Sequence, residues 1–154
     1  ILLMVVILGA LYFTNPNGSS NIQIPFLPSR TKIQDLQIND ALIKVEVADN
    51  KDTRRKGLGG KTSLGDNEGM LFIFSETKKH SFWMKGLKFP LDFVWIKDNQ
   101  VVDIILNAPP PTTNQKDEDI PIYLPNTEVD KVLEVNSGVV ERLKIKEGDM
   151  LKLE

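Results

Sequence analysis

An aromatic-rich stretch at residues 68–107 is the feature that most constrains the fold of this chain. It contains five of the seven phenylalanines and both tryptophans. Gly69–Phe74 is a continuous apolar run of strand length, and Leu91–Ile96 is a second strand-like run interrupted only by Asp92. A turn at residues 98–99 leads into Gln100–Leu106, which predicts a β-hairpin. Because both faces of Gln100–Leu106 are apolar, we expect this strand to be central in the sheet.

Shorter elements are predicted on either side of this stretch. Asp49 or Asp52 can cap a short helix that ends near Leu58, at the glycines that follow, and Ser137 can cap a helical turn. The further predicted elements are a strand at 41–48, a strand at 131–135, the turn at 139–143 and a last strand at 150–153. The pattern predicts a compact, mainly β domain (a β-rich α+β fold), sheet-like or barrel-like, with two short helices.

The N-terminal residues differ in character from this domain. Residues 1–13 are uninterrupted apolar residues, shorter than the ~20 that span a membrane. We expect a membrane anchor that is truncated at its start, with the apolar part of a signal peptide as the alternative. Residues 14–36 read as a Pro/Gly/Ser linker, and residues 37–154 as the domain. An anchor of this kind predicts that the domain faces outside the cytoplasm, in the periplasm or at the cell surface.

Composition excludes several classes of function. The net charge is −2 and the pI about 5.5, so no basic footprint for nucleic acid is expected. The absence of cysteine excludes disulfides, thiolate metal sites and cysteine catalysis, and a single histidine cannot form a zinc site alone. No phosphate loop or dinucleotide fingerprint occurs. We therefore expect no cofactor and no metal.

Several motifs occur together in the order found in one family. They are Arg54-x-x-Gly57-Leu58, Gly69-Met70-Leu71-Phe72-x-Phe74, Phe82-Trp83-Met84-Lys85, Pro90-Leu91-Asp92-x-x-Trp95-Ile96, Val132-Leu133-Glu134, Gly138 and Gly148-Asp149. From about Ala41 to Leu153 the chain resembles the DUF192 (UPF0127) family of bacterial and archaeal proteins. The resemblance implies a compact, mostly β fold with short helices, and it implies no known activity.

The chain departs from the family pattern at two places. Gly86-Leu87 stands where an Asn-Thr pair is usual, and Gly59-Gly60-Lys61 stands where the family has Met and a basic residue. If the Asn-Thr pair contacts a ligand in relatives, that contact is altered here.

Four residues are the main candidates for a site: Arg54, Trp83, Lys85 and Asp92. On a strand, Trp83 and Lys85 share one face, which could place a flat aromatic surface beside a cation in a polar pocket. The alternative is that this segment only packs the core and its rim. Asp92 falls in a strand that should be buried, so it needs a partner, and the Arg54 guanidinium could hold it with two hydrogen bonds. Asp92 is also the candidate for a catalytic acid or base.

Other polar residues carry weaker predictions. Asp103 and Glu134 also lie in apolar strands and could join Asp92 in a carboxylate cluster, although no spacing brings them together. His80 follows two lysines and is expected to be a solvated loop residue. The irregular loop at 108–121, with three consecutive prolines and an acidic cluster, could gate a site or contact a partner.

The sequence thus favours a non-enzymatic, membrane-tethered module that binds a small ligand, a glycan or an envelope protein through Arg54, Trp83, Lys85 and Asp92. One alternative is a carbohydrate-active hydrolase or lyase that uses Asp92. The other is a structural component of an envelope complex, in which the proline-rich loop makes the contact.

Overall fold

The computed structural model describes residues 31–154, which form a strongly curved β-sheet with two short helices. The strands are β1 (Lys32–Ile38), β2 (Ala41–Ala48), β3 (Glu68–Lys78), β4 (Phe82–Trp83), β5 (Leu91–Lys97), β6 (Gln100–Ala108), β7 (Ile122–Tyr123), β8 (Val129–Asn136) and β9 (Leu151–Leu153). The helices are α1 (Lys51–Lys56) and α2 (Val139–Arg142), and a 3-10 turn spans Asp117–Asp119. The predicted mainly β class is confirmed.

Seven strands form one sheet in the order β6-β5-β8-β3-β2-β1-β9, and β4 pairs only with β7. The β2–β3 pair is parallel, so the chain must cross from one end of the sheet to the other, and α1 lies in that crossover. The remaining ladders are antiparallel. A bridge between Gln100 and Met150 joins the start of β6 to the residue before β9, which brings the two ends of the curled half-barrel together.

Two apolar cores lie on opposite faces of the sheet. Inward-facing side chains such as Val45, Leu71 and Leu133 fill the inside of the curve, where α2 also packs. The alternate residues of the same strands, including Phe93 and Trp95, form a second core on the outer face. Because β3, β5 and β8 are covered on both faces, their sequences are nearly continuous apolar runs. The outer core is covered by α1 and by the segment that carries β4.

Two predictions about strand positions are corrected by the structure. β1 begins at Lys32, so the end of the predicted linker is a strand and the domain starts before Gln37. β6 lies at one end of the strand order and is not central. Both faces of β6 are nevertheless apolar, because Val101 packs in the inner core and Ile105 against the outer one.

The helix caps also differ from the prediction. Asn50, rather than Asp49 or Asp52, caps α1: its side-chain oxygen accepts hydrogen bonds from the Asp52 and Thr53 amides at 3.1 and 3.0 Å. Gly138 occupies the N-cap of α2, and Ser137 is hydrogen-bonded to the Asn107 side chain instead.

The predicted anchor at residues 1–13 and most of the predicted linker lie outside the described residues. Between residues 31 and 154, no helix is long and apolar enough to cross a membrane.

Candidate functional site

A cleft of about 330 Å³ opens on the outer face of the sheet, between α1, the end of β3 and the segment that carries β4. Its cationic lining residues are Arg54, Arg55, Lys56, Lys78, Lys79 and Lys85. Its aromatic lining residues are Phe72, Phe74, Phe82 and Trp83, with His80 beside them. One carboxylic acid, Glu134, also lines it. The cleft therefore combines a basic rim, aromatic walls and a single acid.

Arg54 is held at the cleft by its helix and by β3. The turn after α1 requires Gly57, because its φ of 50° lies in the left-handed region that other residues rarely adopt. Arg54 donates a hydrogen bond to the Ile73 carbonyl at 2.8 Å, and its guanidinium lies 5.3 Å from the centre of the Phe74 ring. Arg54 thus fastens α1 to β3 and contributes positive charge to the rim.

Phe82 anchors the aromatic wall. Its ring meets Phe72 and Trp95 edge-to-face, with ring centres 4.9 and 5.5 Å apart. Because side chains alternate along a strand, the neighbouring Trp83 points the other way and is 48% exposed. The pairing of β4 with β7, which sets Trp83 opposite Ile122, fixes this orientation. The outer core thus buries the Phe82 ring and leaves the Trp83 ring exposed at the cleft.

Lys85 joins Trp83 at the rim, although it lies in the turn after β4 and not on a shared strand face as predicted. Its ammonium lies 5.0 Å from the centre of the Trp83 ring and forms an ion pair with Asp117. Asp117 belongs to the 3-10 turn in the loop at 108–121, so this loop is tied to the cleft rim through Lys85. Arg54, Trp83 and Lys85 are therefore brought together at one cleft.

Asp92 does not join them, and the predicted Arg54–Asp92 pair is wrong. The Asp92 carboxylate is fully buried and accepts three backbone hydrogen bonds, from Asn107 at 2.9 Å and from Gly138 and Val140 at 2.9 and 3.2 Å. Two of these donors lie at the start of α2, where a carboxylate is favoured by unpaired amides. Asp92 thus holds α2 and β6 to β5, and it is absent from the cleft lining.

The predicted carboxylate cluster does not form either. Asp103 accepts hydrogen bonds from the Ile104 and Asn126 amides at 2.9 and 2.7 Å, which ties β6 to the chain before β8. Across residues 31–154, no group of three His, Asp or Glu side chains is placed to hold a metal ion.

His80 is buried rather than solvated. Its ring stacks on Phe74 with 3.5 Å between centres, and its Nε2 lies 2.9 Å from the Glu76 carbonyl. Burial lowers the pKa of His80, and the Glu76 carbonyl opposes this only in part. The sequence prediction failed because β3 continues to Lys78 and the chain then returns over Phe74.

Glu134 is the acid at the floor of the cleft. It lies on β8 between Met70 of β3 and Phe93 of β5, and it is only 4% exposed. Burial raises the pKa of Glu134 to about 8, so its carboxyl is mostly uncharged at pH 7. The signal in the sequence was a single carboxylate inside the apolar run Val132–Val135, but nothing in that run locates the cleft.

Comparisons with known proteins identify the family and support the fold. No curated protein matches the chain. A protein from Sinorhizobium meliloti 1021, suggested to be a transcription regulator, has a similar solved structure with a TM-score of 0.71 and 29% identity, covering 80% of this chain and 95% of that one. A protein of unknown function from Novosphingobium aromaticivorans DSM 12444 has a TM-score of 0.71 and 30% identity, covering 80% and 87%. The model of DUF192, described as an uncharacterized ACR, matches residues 29–153, and the chain belongs to this family.

Proposed function

We propose that the chain is a binding module whose cleft takes a small anionic ligand. The observation that carries this proposal is the local concentration of positive charge: six cationic side chains and one acid line the cleft of a chain whose net charge is −2. Positive charge gathered around a concave, partly apolar surface raises the local concentration of anions. Arg54 and Lys85 supply two of these charges at positions fixed by contacts with Phe74 and Trp83.

The shape of the cleft favours a small and partly planar ligand. Its volume of about 330 Å³ falls at the lower end of the range for small-molecule sites. The half-exposed Trp83 ring offers a flat surface on which a sugar or a planar group can stack. These features support the predicted binding of a small ligand or a glycan. The basic rim limits the proposal to ligands that carry negative charge.

The predicted carbohydrate-active hydrolase or lyase has weaker support. Its candidate acid, Asp92, is engaged by backbone amides away from the cleft. Glycoside hydrolysis ordinarily uses two carboxyl groups that flank the scissile bond, and Glu134 alone lines the cleft. The proposal therefore concerns binding and not turnover.

An envelope-partner contact is the second candidate, favoured by a different surface. Ile122 of β7 and the nearby Leu124 are exposed apolar residues beside the loop at 108–121. Exposed apolar neighbours of this kind are typical of protein contacts. We further propose, from residues 1–13 alone, that the chain is tethered to a membrane with this domain outside the cytoplasm. Cell fractionation with protease accessibility tests that placement, and a protease-protected soluble domain would contradict it.

Isothermal titration calorimetry of the chain with four probes tests the binding proposal. We expect ribose 5-phosphate, inorganic phosphate and glucuronate to bind, and neutral glucose to bind much more weakly. Added salt should weaken the binding of the anions, because salt screens the charges on an open rim. Lys85→Ala should lower the affinity for the anions by about tenfold, as expected for the loss of one charge-assisted hydrogen bond of roughly 1.5 kcal/mol.

Lys97→Ala is the matched control, because Lys97 is also an exposed lysine but does not line the cleft. It should leave anion binding unchanged. Equal effects of Lys85→Ala and Lys97→Ala, or no binding of any anion, would overturn the proposal.

A further inference from the structure

The Glu134 carboxyl lacks a partner in the protein although it is buried. In residues 31–154, no protein hydrogen bond or ion pair reaches it, and its oxygens keep contact with the open cleft. Its neighbours across the sheet are Met70 and Phe93, and its carboxyl lines the cleft with Phe72, Phe82 and Leu87. Buried polar groups in folded proteins nearly always have a hydrogen-bond partner. An unpaired acid that faces a cleft therefore points to a partner that the cleft receives.

The charged groups around the cleft are directed elsewhere. From α1, Arg54 donates to the Ile73 carbonyl, Arg55 pairs with Asp52, and Lys56 is exposed. From the segment after β3, Lys78 pairs with Glu76, Lys79 is exposed, and His80 lies against Phe74 and the Glu76 carbonyl. From the segment after β4, Lys85 pairs with Asp117. Among the described residues, Lys56 and Lys79 have no ion-pair partner, so they are the cations most readily available to a ligand at the rim, while Glu134 lies at the inner end of the cleft.

An uncharged carboxyl has a particular hydrogen-bonding pattern. It presents one O–H donor next to one carbonyl acceptor. Its complement is a ligand edge with an acceptor beside a donor, as on the amide-like edge of a planar nitrogen heterocycle. The exposed ring of Trp83 suits a planar ligand ring. A basic rim suits a phosphate attached to that ring through a short linker.

Building on the proposed function, we propose that the cleft prefers phosphorylated planar heterocycles of the nucleoside monophosphate class, with the Glu134 carboxyl hydrogen-bonded to the edge of the ring and the cationic rim holding the phosphate. Ionisation of Glu134 would remove its donor and place a charge in the apolar floor. Preference for the ring should therefore fall as the solution becomes more alkaline.

Calorimetric titrations of adenosine monophosphate and ribose 5-phosphate at pH 7 and pH 9 test this inference. The two probes carry the same phosphate, so their affinity ratio isolates the ring. We expect adenosine monophosphate to bind at least about tenfold more tightly at pH 7. The ratio should fall by about tenfold at pH 9, since the uncharged fraction of an acid with a pKa of about 8 falls by that factor. Burial lowers the pKa of His80, which works against a charge on its ring at either pH.

Two variants distinguish a role of Glu134 in binding the ligand ring from a purely structural role. Glu134→Gln keeps a donor beside an acceptor but cannot ionise, so it should retain the preference for adenosine monophosphate and lose its pH dependence. Glu134→Ala should lose the preference and still bind ribose 5-phosphate. Equal wild-type affinities for the two probes would overturn this inference and leave the proposed function standing. If neither adenosine monophosphate nor ribose 5-phosphate binds, both this inference and the proposed binding of phosphates are overturned.

Discussion

Replacement of Glu134 by Gln should change how the stability of the protein depends on pH. Burial raises the pKa of Glu134 from 4.5 to about 8 because no described charge or donor compensates the ionised form. The folded protein therefore holds this proton more tightly than the unfolded chain does. The resulting contribution to stability is fully present below about pH 4.5 and is lost as the pH rises towards about 8.

The size of the effect follows from the same pKa values. Each pH unit between 4.5 and about 8 changes the free energy of unfolding by about 1.36 kcal/mol, which gives at most about 5 kcal/mol across the interval. Glutamine has a similar shape and does not titrate, so Glu134→Gln should be free of this loss. The difference in stability between variant and wild type should move in favour of the variant by several kcal/mol from pH 5 to pH 9.

Urea denaturation of wild type and Glu134→Gln at pH 5, 7 and 9 measures this difference. Other titrating groups are shared by both proteins and cancel in the comparison. Glu128→Gln is the control, because it makes the same chemical change at an exposed position on the surface. If the difference in the free energy of unfolding between wild type and Glu134→Gln stays constant from pH 5 to pH 9, the reasoning is refuted. A constant difference would mean that Glu134 ionises normally in the folded protein.

Further predictions concern the residues that frame the cleft. Asp92→Ala should lower the free energy of unfolding by about 3–5 kcal/mol in urea denaturation, because three backbone amides lose their acceptor. Arg54→Ala should cost clearly less, and equal costs would instead indicate the Arg54–Asp92 pair predicted from the sequence. Gly69→Ala should destabilise by about 1–3 kcal/mol, because the added Cβ would lie 2.8 Å from the Glu134 carbonyl oxygen. A thermal melt of Gly69→Ala that matches wild type would show that β3 and β8 can separate at little cost.

Much of the fold was accessible from residue patterns, because burial on both faces leaves a clear signal. Ala41–Ala48 alternates cleanly, and the predicted strand coincides with β2. The hairpin of β5 and β6 follows from its turn. The two-residue strands β4 and β7 leave too little pattern to detect, since their pairing depends on contacts between distant segments. β1 was missed because the prolines before Lys32 extended the predicted linker too far.

The candidate site was predictable only where local geometry decides it. Trp83 and Lys85 do lie close together, but Lys85 belongs to the turn after β4, so the shared strand face from which this was predicted is wrong. Asp92 was correctly expected to be buried, but its partners are backbone amides, which leave no trace in side-chain composition. Glu134 was visible as an acid in an apolar strand, yet its place at the cleft depends on how β3, β5 and β8 pair.

Chemical-shift mapping of the full chain by two-dimensional NMR, during titration with ribose 5-phosphate, tests the central claim most directly. We expect saturable chemical-shift changes concentrated at Arg54, His80 and Lys85. The resonance of the exposed Trp83 indole N–H should shift more than that of the buried Trp95 indole. Shifts centred on residues outside the cleft, or no saturable shift, would contradict the proposal that the basic cleft binds small anions.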